Sequence, residues 1–121
     1  MADVLLLNSG GSNYTSLQSA FERLGATCLQ SSEPADMERA SHIVLPGVGS
    51  AGSAMQAIRQ QNLAEQIMAL QKPLLGICLG MQVLYESSDE SMINCLGIIP
   101  GSIHKLSLAP GIRVPHMGWN N

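Results

Sequence analysis

Apolar residues in this chain fall into short runs, each closed by glycine or polar residues. "DVLLLN" (residues 3–8), "HIVLP" (42–46) and "PLLGI" (73–77) are strand-length and nearly unbroken, the pattern of parallel strands buried on both faces, and "ATCLQ" (26–30) reads as a further strand. Helical spacing fills the gaps. After "SGGSN", Leu17, Ala20, Phe21 and Leu24 recur at i, i+3, i+4 and i+7, and Gly25 stands where a helix terminates. Residues 50–70 read as one helix with Leu63, Ile67 and Leu70 as its stripe. A helix opening at Leu79 carries Val83 and Leu84 inward until "SSDES" breaks it. Beyond it, "GSIHKL" and "IRVPHMGW" look like strands divided by the turn signal "APG". Strands alternating with helices predict an α/β fold: a mostly parallel sheet with helices on both faces.

Composition narrows the class. A chain of 121 residues with 45% hydrophobic and 12% charged residues can bury one modest core, so a single domain spanning residues 1–121 is expected. The formal charge of −3, the absence of a Lys/Arg cluster and the low aromatic content of 3% exclude nucleic acid as a partner. No apolar segment approaches the roughly 18 residues of a membrane span, and the run at Val4 to Leu7 is too short for a signal-peptide core, so a cytoplasmic location and no membrane contact are expected. Cys28, Cys78 and Cys95 are odd in number and contain no C-x-x-C pair, which argues against disulfides and a thiolate metal site. Any important cysteine acts as a free thiol.

Two glycine motifs follow strands. "GVGSAG" (47–52) has the G-x-G-x-x-G form of a dinucleotide loop, but the next strand ends in Cys78 where the ribose-binding acid of that motif belongs. "GICLG" (76–80) has the layout of a nucleophile elbow with sulfur in place of oxygen. Gly76 and Gly80 remove side chains that would clash in a sharp strand-to-helix turn. Cys78 is thereby raised at the sheet's carboxyl edge, at a helix start whose dipole and N–H groups favour a thiolate, and the Leu79 N–H points where an oxyanion would form. A small buried cysteine is the bland alternative.

"LPGVGSAGSAM", "PLLGICLGMQVLYESSDES", "LGIIPG" and "VPHMGWN" together strongly resemble the glutaminase subunits of imidazole glycerol phosphate synthase, class I triad glutamine amidotransferases of histidine biosynthesis. The resemblance covers nearly the whole chain. It implies a flavodoxin-like fold whose C-terminal part is missing, so that residues 1–121 form one incomplete domain. Cys78 would attack the carboxamide of glutamine, forming a thioester and releasing ammonia, with no cofactor and no metal. Val48 and Leu79 would supply oxyanion-hole N–H groups, and Gly47, Gly49 and Gln82 would bind and orient glutamine. The ammonia would pass to a cyclase subunit, a (β/α)8 barrel forming a heterodimer with this chain. Pro115, His116, Met117, Gly118, Trp119 and Asn120 would lie at that interface, with Asn13 on the same side.

Two departures from the family pattern accompany the match. The family's catalytic histidine and glutamate occupy a motif downstream of "PHMGWN", beyond Asn121. His42 precedes the third strand at the wrong end of the sheet, His104 lies within a strand, and His116 belongs to the interface motif, so none replaces the base and this chain is expected to be inactive in glutamine hydrolysis. Asn8 stands where the family usually has an acid. Two other classes fit the elbow: a protein of the stress-protein and intracellular-protease superfamily, or a non-catalytic cyclase-binding subunit. "GMQ" after the cysteine and "PGVG" favour the amidotransferase over the first.

Overall fold

A computed structural model describes residues 3–8, 13–90, 92–107 and 109–111. The elements run β1 (Val4–Leu7), α1 (Tyr14–Arg23), β2 (Cys28–Ser31), α2 (Pro34–Arg39), β3 (His42–Gly47), α3 (Ala51–Gln60), α4 (Ala64–Met68), β4 (Leu74–Cys78), α5 (Leu79–Gln82), β5 (Ser87–Ser88), β6 (Ile93–Asn94) and β7 (Ser102–Ile103). The main sheet has the order β2-β1-β3-β4, parallel throughout. Because the chain moves one way from β1 to β2 and the other way from β3 to β4, the order reverses between β1 and β3. Open α/β sheets place ligand crevices at the carboxyl ends of strands beside such a reversal.

The unbroken apolar strands are explained by burial from two sides. Leu5, Leu7, Ile43 and Leu45 face a core with Met37, Met55, Ile58, Ile67, Leu79 and Val83, drawn from α2 to α5 and the residue after α5. Each fully buried aliphatic side chain is worth about 2 kcal/mol. Val4, Leu6 and Val44 face the other way, onto Tyr14, Leu17 and Phe21 of α1. The second face is less well covered. Leu75 of β4 remains 52% exposed, and an apolar groove runs beside it along Val4, Phe21, Val44 and Pro73.

Several predicted elements differ from those observed. Leu24 is 82% exposed, because α1 ends at Arg23 and the chain turns through Gly25 at φ +86°. The long helix over residues 50–70 is divided into α3 and α4. Asn62 takes φ +56°, interrupting the ladder, while Leu63 and Ile67 stay buried in the same core. Within "SSDES", Ser87 and Ser88 form β5, the centre of a small sheet of order β6-β5-β7. Only Ser102–Ile103 of "GSIHKL" is strand, and "IRVPHMGW" lies outside the described residues.

Two polar clusters hold the amino ends of the strands. Asp3 donates its N–H to Thr27 Oγ1 at 2.8 Å and accepts the Thr27 N–H at Oδ2 at 3.1 Å, while its carbonyl accepts from the backbone N–H groups of Ser41 and His42. One residue thus ties the starts of β1, β2 and β3. Lys72, just before β4, donates to the carbonyls of Met37, Glu38 and Ala40 at 2.7, 2.8 and 2.7 Å, satisfying the end of α2 with a cation.

Lys72→Met keeps the aliphatic stem and strands these carbonyls; urea unfolding should show a loss of about 2 kcal/mol. A second prediction concerns acid. The Thr27 backbone N–H holds the Asp3 carboxyl below its ordinary 3.8, and the Ser31 hydroxyl, followed by Arg39, does the same for Asp36. Both folded values are depressed, so the stability they contribute is present above pH 3.8 and lost as pH falls through the lowered values. Asp3→Asn should flatten the acid limb of a stability-against-pH curve and leave its neutral slope unchanged; an unchanged acid limb would contradict the assignment.

Candidate functional site

The sharpest local feature is the junction of β4 and α5. Cys78, the last residue of β4 and the N-cap of α5, has φ +55° and ψ −118°, a backbone region that a residue with a Cβ rarely occupies. The surrounding packing enforces it. A Cβ on Gly80 would lie 1.8 Å from the Leu45 carbonyl oxygen, and one on Gly76 would lie 2.7 Å from the Cα of Met81. The first turn of α5 therefore rests on the backbones of β3 and β4 directly. The chain can reverse so tightly only if Cys78 absorbs the turn, and its side chain is left exposed at the carboxyl edge. The elbow read from "GICLG" is present. Its helix, however, is one turn of four residues, Leu79–Gln82, so an extended helix dipole does not act on the sulfur.

The neighbouring loop comes from β3. Gly47 pairs in register with Cys78, and a Cβ on it would sit 3.0 Å from the Gly80 nitrogen. Val48 follows, 58% exposed, and Gly49 takes φ +95° before Ser50 caps α3 by accepting the Ser53 N–H. Val48 thus begins directly beside the cysteine's end of the sheet. Leu79 is buried in the core, so only its backbone is placed to take part in chemistry at Cys78. Asn13 caps α1, its Oδ1 accepting from the Ser16 N–H at 3.4 Å. Pro115, His116, Met117, Gly118, Trp119 and Asn120 lie outside the described residues.

The two described histidines are engaged elsewhere. His42 opens β3, and its Nδ1 lies 2.9 Å from Ser41 Oγ, which itself donates to the Asp3 carbonyl. Five residues of extended strand, roughly 16 Å, separate it from Gly47 and hence from the cysteine's edge. His104 was expected inside a strand; it instead follows β7 and contacts the Asp89 carboxylate through Nδ1 at 2.5 Å. It also lines a cleft of about 530 Å³ with Gln82, Ser88, Asp89, Glu90, Ile103 and Lys105.

That cleft joins Gln82, which the sequence already marked for substrate binding, to the residues that sequence reasoning missed: Asp89, Glu90 and Lys105. Gln82 ends α5, four positions after Cys78, and Asp89 and Glu90 belong to the "SSDES" that reads as a helix breaker. Asp89 and His104 are spent on each other. Among the described residues, the Glu90 carboxylate and the Lys105 ammonium have no hydrogen-bonding or ion-pair partner, so the cleft presents one free charge of each sign. The acid doublet beside an elbow was the available signal; its chemistry became visible only when β5 and β7 brought Lys105 opposite.

The three thiols differ in setting. Burial pushes the Cys28 thiol up, assisted by Glu22, and burial also pushes up Cys95, against an opposing effect of Arg59. Cys78 alone is exposed.

The elbow geometry generates a stability prediction. Gly80→Ala drives a methyl into the Leu45 carbonyl and should cost about 3 kcal/mol or more, whereas Gly25→Ala, with open space and only a positive φ to oppose it, should cost about 1 kcal/mol. Cys78→Gly relieves the backbone strain and should be more stable than Cys78→Ala by about 1 kcal/mol. Equal thermal midpoints for those two variants would show that the turn is unstrained.

Comparison with known proteins agrees with this geometry. A family model described as glutamine amidotransferase class-I matches residues 5–121. The imidazole glycerol phosphate synthase subunit HisH of Xanthomonas euvesicatoria pv. vesicatoria is 49% identical over 120 residues, and those of Xanthomonas axonopodis pv. citri and Xylella fastidiosa strain Temecula1 are each 48% identical over 120 residues. In each case the match takes in 99% of this chain and 60% of the relative, so the chain spans about three-fifths of the length of these curated relatives. A solved structure titled "Crystal structure of glutamine amidotransferase" superposes with a TM-score of 0.72 at 18% identity, over 85% of this chain and 56% of the other, and shares the fold. With a parallel α/β sheet, a cysteine elbow at its carboxyl edge and a family match that runs almost from end to end, the chain belongs to the class-I glutamine amidotransferase family.

Proposed function

We propose that the chain carries the nucleophile and part of the substrate site of the glutaminase subunit of an imidazole glycerol phosphate synthase. The observation that carries this reading is Cys78, held at φ +55° and exposed beside Gly47 at the carboxyl edge of the sheet. The HisH relatives are named as subunits of imidazole glycerol phosphate synthase, which supports this reading, and the sequence resemblance gives the pathway as histidine biosynthesis.

In this reading the Cys78 thiolate attacks the carboxamide carbon of glutamine. The N–H groups of Val48 and Leu79 receive the negative charge that develops on the oxygen. The C–N bond then breaks, the nitrogen takes a proton and leaves as ammonia, and water hydrolyses the thioester to glutamate and restores the thiol. Gly47 and Gly49 allow the Val48 peptide to approach and turn; the positive φ of Gly49 makes that turn accessible. Gln82 and its cleft hold the amino-acid end, with the free Glu90 carboxylate suited to the α-ammonium and the free Lys105 ammonium to the α-carboxylate.

The ammonia passes to a cyclase subunit of (β/α)8 form, bound as a heterodimer through Asn13 and residues 115–120. Residues 1–121 belong to one glutamine amidotransferase domain, and the subunit works in the cytoplasm. Among the described residues no helix is long and apolar enough to cross a membrane.

Labelling with a chloromethyl ketone analogue of glutamine, followed by peptide mapping, should modify Cys78 first, since it alone is exposed while burial pushes the other two thiols up. Preferential labelling of Cys28 or Cys95 would overturn the assignment. Glutamate release by residues 1–121 alone should stay at background, because His42 and His104 are engaged with Ser41 and Asp89 and a positioned acid is worth about 10²–10⁴ in rate. A chain extended to the length of the HisH relatives should turn over. Equal Cys78-dependent rates from both would show that a histidine within these residues serves as the acid.

A further inference from the structure

The Gln82 cleft contains four ionisable side chains in two different states. Asp89 and His104 are paired, and among the described residues Glu90 and Lys105 have no partner. The arrangement depends on a set of contacts at the end of the small sheet. The Asp89 N–H donates to the Ile103 carbonyl at 3.0 Å while its carboxylate holds the ring of the next residue, His104. Buried Ser88 accepts the Glu90 N–H at 3.3 Å, fixing the residue after Asp89 in the same turn. Ser87 and Ser102 join their hydroxyls at 2.9 Å one position earlier in the register. The turn that carries Glu90 is therefore attached to the strand that leads into Lys105, through Ser87 and Asp89 on one side and Ser102, Ile103 and His104 on the other.

We infer that Asp89 and His104 are a positioning pair for glutamine: they set the Glu90 turn against the Lys105 strand. This rests on the reading of the Gln82 cleft as the seat of the amino-acid end. The pair is ill placed to serve stability. His104 and Asp89 have side chains 64% and 52% exposed, where an ion pair contributes little to folding. Its geometric consequence is larger than its energetic one. Loss of the imidazole would release the Asp89 side chain and the turn that carries Glu90, so the Glu90 carboxylate would be held less firmly where the substrate's ammonium needs it.

The test is the concentration dependence of Cys78 inactivation by the chloromethyl ketone analogue of glutamine, which separates the half-saturation constant KI from the limiting rate kinact. Glu90→Gln should raise KI about tenfold, the loss of one charge-assisted contact. His104→Leu, which has no donor, and Asp89→Asn should each raise KI about three- to fivefold, with kinact, the thermal midpoint and the rate of Cys78 alkylation by iodoacetamide unchanged. His104→Arg, which again offers Asp89 a planar N–H donor, should restore KI. An unchanged KI in Glu90→Gln, or no saturation in the wild-type chain, would overturn the reading of the cleft and the inference with it. A raised KI in Glu90→Gln beside unchanged values in His104→Leu and Asp89→Asn would overturn the positioning role alone. Parallel falls in thermal midpoint and iodoacetamide reactivity would also overturn it, because the pair would then be holding the fold together.

Discussion

The contact on which the site depends is between backbones. At Gly80 the first turn of α5 comes so close to β3 that an added Cβ would lie 1.8 Å from the Leu45 oxygen, and at Gly76 the same turn lies directly over β4. No side chain separates helix from sheet at these points. Leu79, Val83 and Leu84 bury themselves among Leu45, Ala51 and Met55 only because that approach is possible. Cys78 is the residue left to make the turn, and its φ of +55° is the geometric remainder of a packing problem solved by its neighbours. Burial of the α5 turn thus pays for the strain at the thiol, and catalytic geometry follows from core packing.

The opposite end of the sheet is fixed by different physics. Asp3 joins the starts of three strands through short polar contacts, and Lys72 closes α2 with a triple set of carbonyl bonds immediately before β4 begins. These contacts set where β4 starts, and β4 has five residues from Leu74 to Cys78. Its register with β3, Ile43 against Leu74 through Gly47 against Cys78, carries that starting point to the carboxyl edge. A lysine distant from the thiol therefore helps to decide where the thiol emerges.

Legibility in the sequence followed the strength of the local constraint. β1, β3 and β4 were readable because strands buried on two faces must be apolar at almost every position, and the elbow because "GICLG" combines a strand end with two glycines that only close packing requires. α2 was not readable: "PADMER" buries only Met37, too little for a periodic signal, though Pro34 stands at its first turn. The division of residues 50–70 escaped notice because Asn62 turns the chain without disturbing the burial of Leu63 and Ile67. The cleft escaped for another reason. Gln82, Glu90 and Lys105 are brought together by a small sheet whose strands are two residues each, too short to leave a pattern.

The same reasoning explains the uneven covering of the sheet. The α1 face is sealed over β1 and β3 by Tyr14, Leu17 and Phe21, but over β4 it is open at Leu75, and among the described residues β4 pairs only with β3. An apolar side chain in an otherwise buried strand pattern, left half exposed on an edge, is a liability for edge-to-edge pairing. The elbow does not share that weakness: Gly80 meets β3, Gly76 meets the α5 turn, and Leu79 and Val83 lie in the closed core. Opening or covering the α1 face of β4 changes the solubility of the chain while leaving the backbone contacts that aim Cys78 in place. The nucleophile is thus built on the half of the structure whose packing is complete.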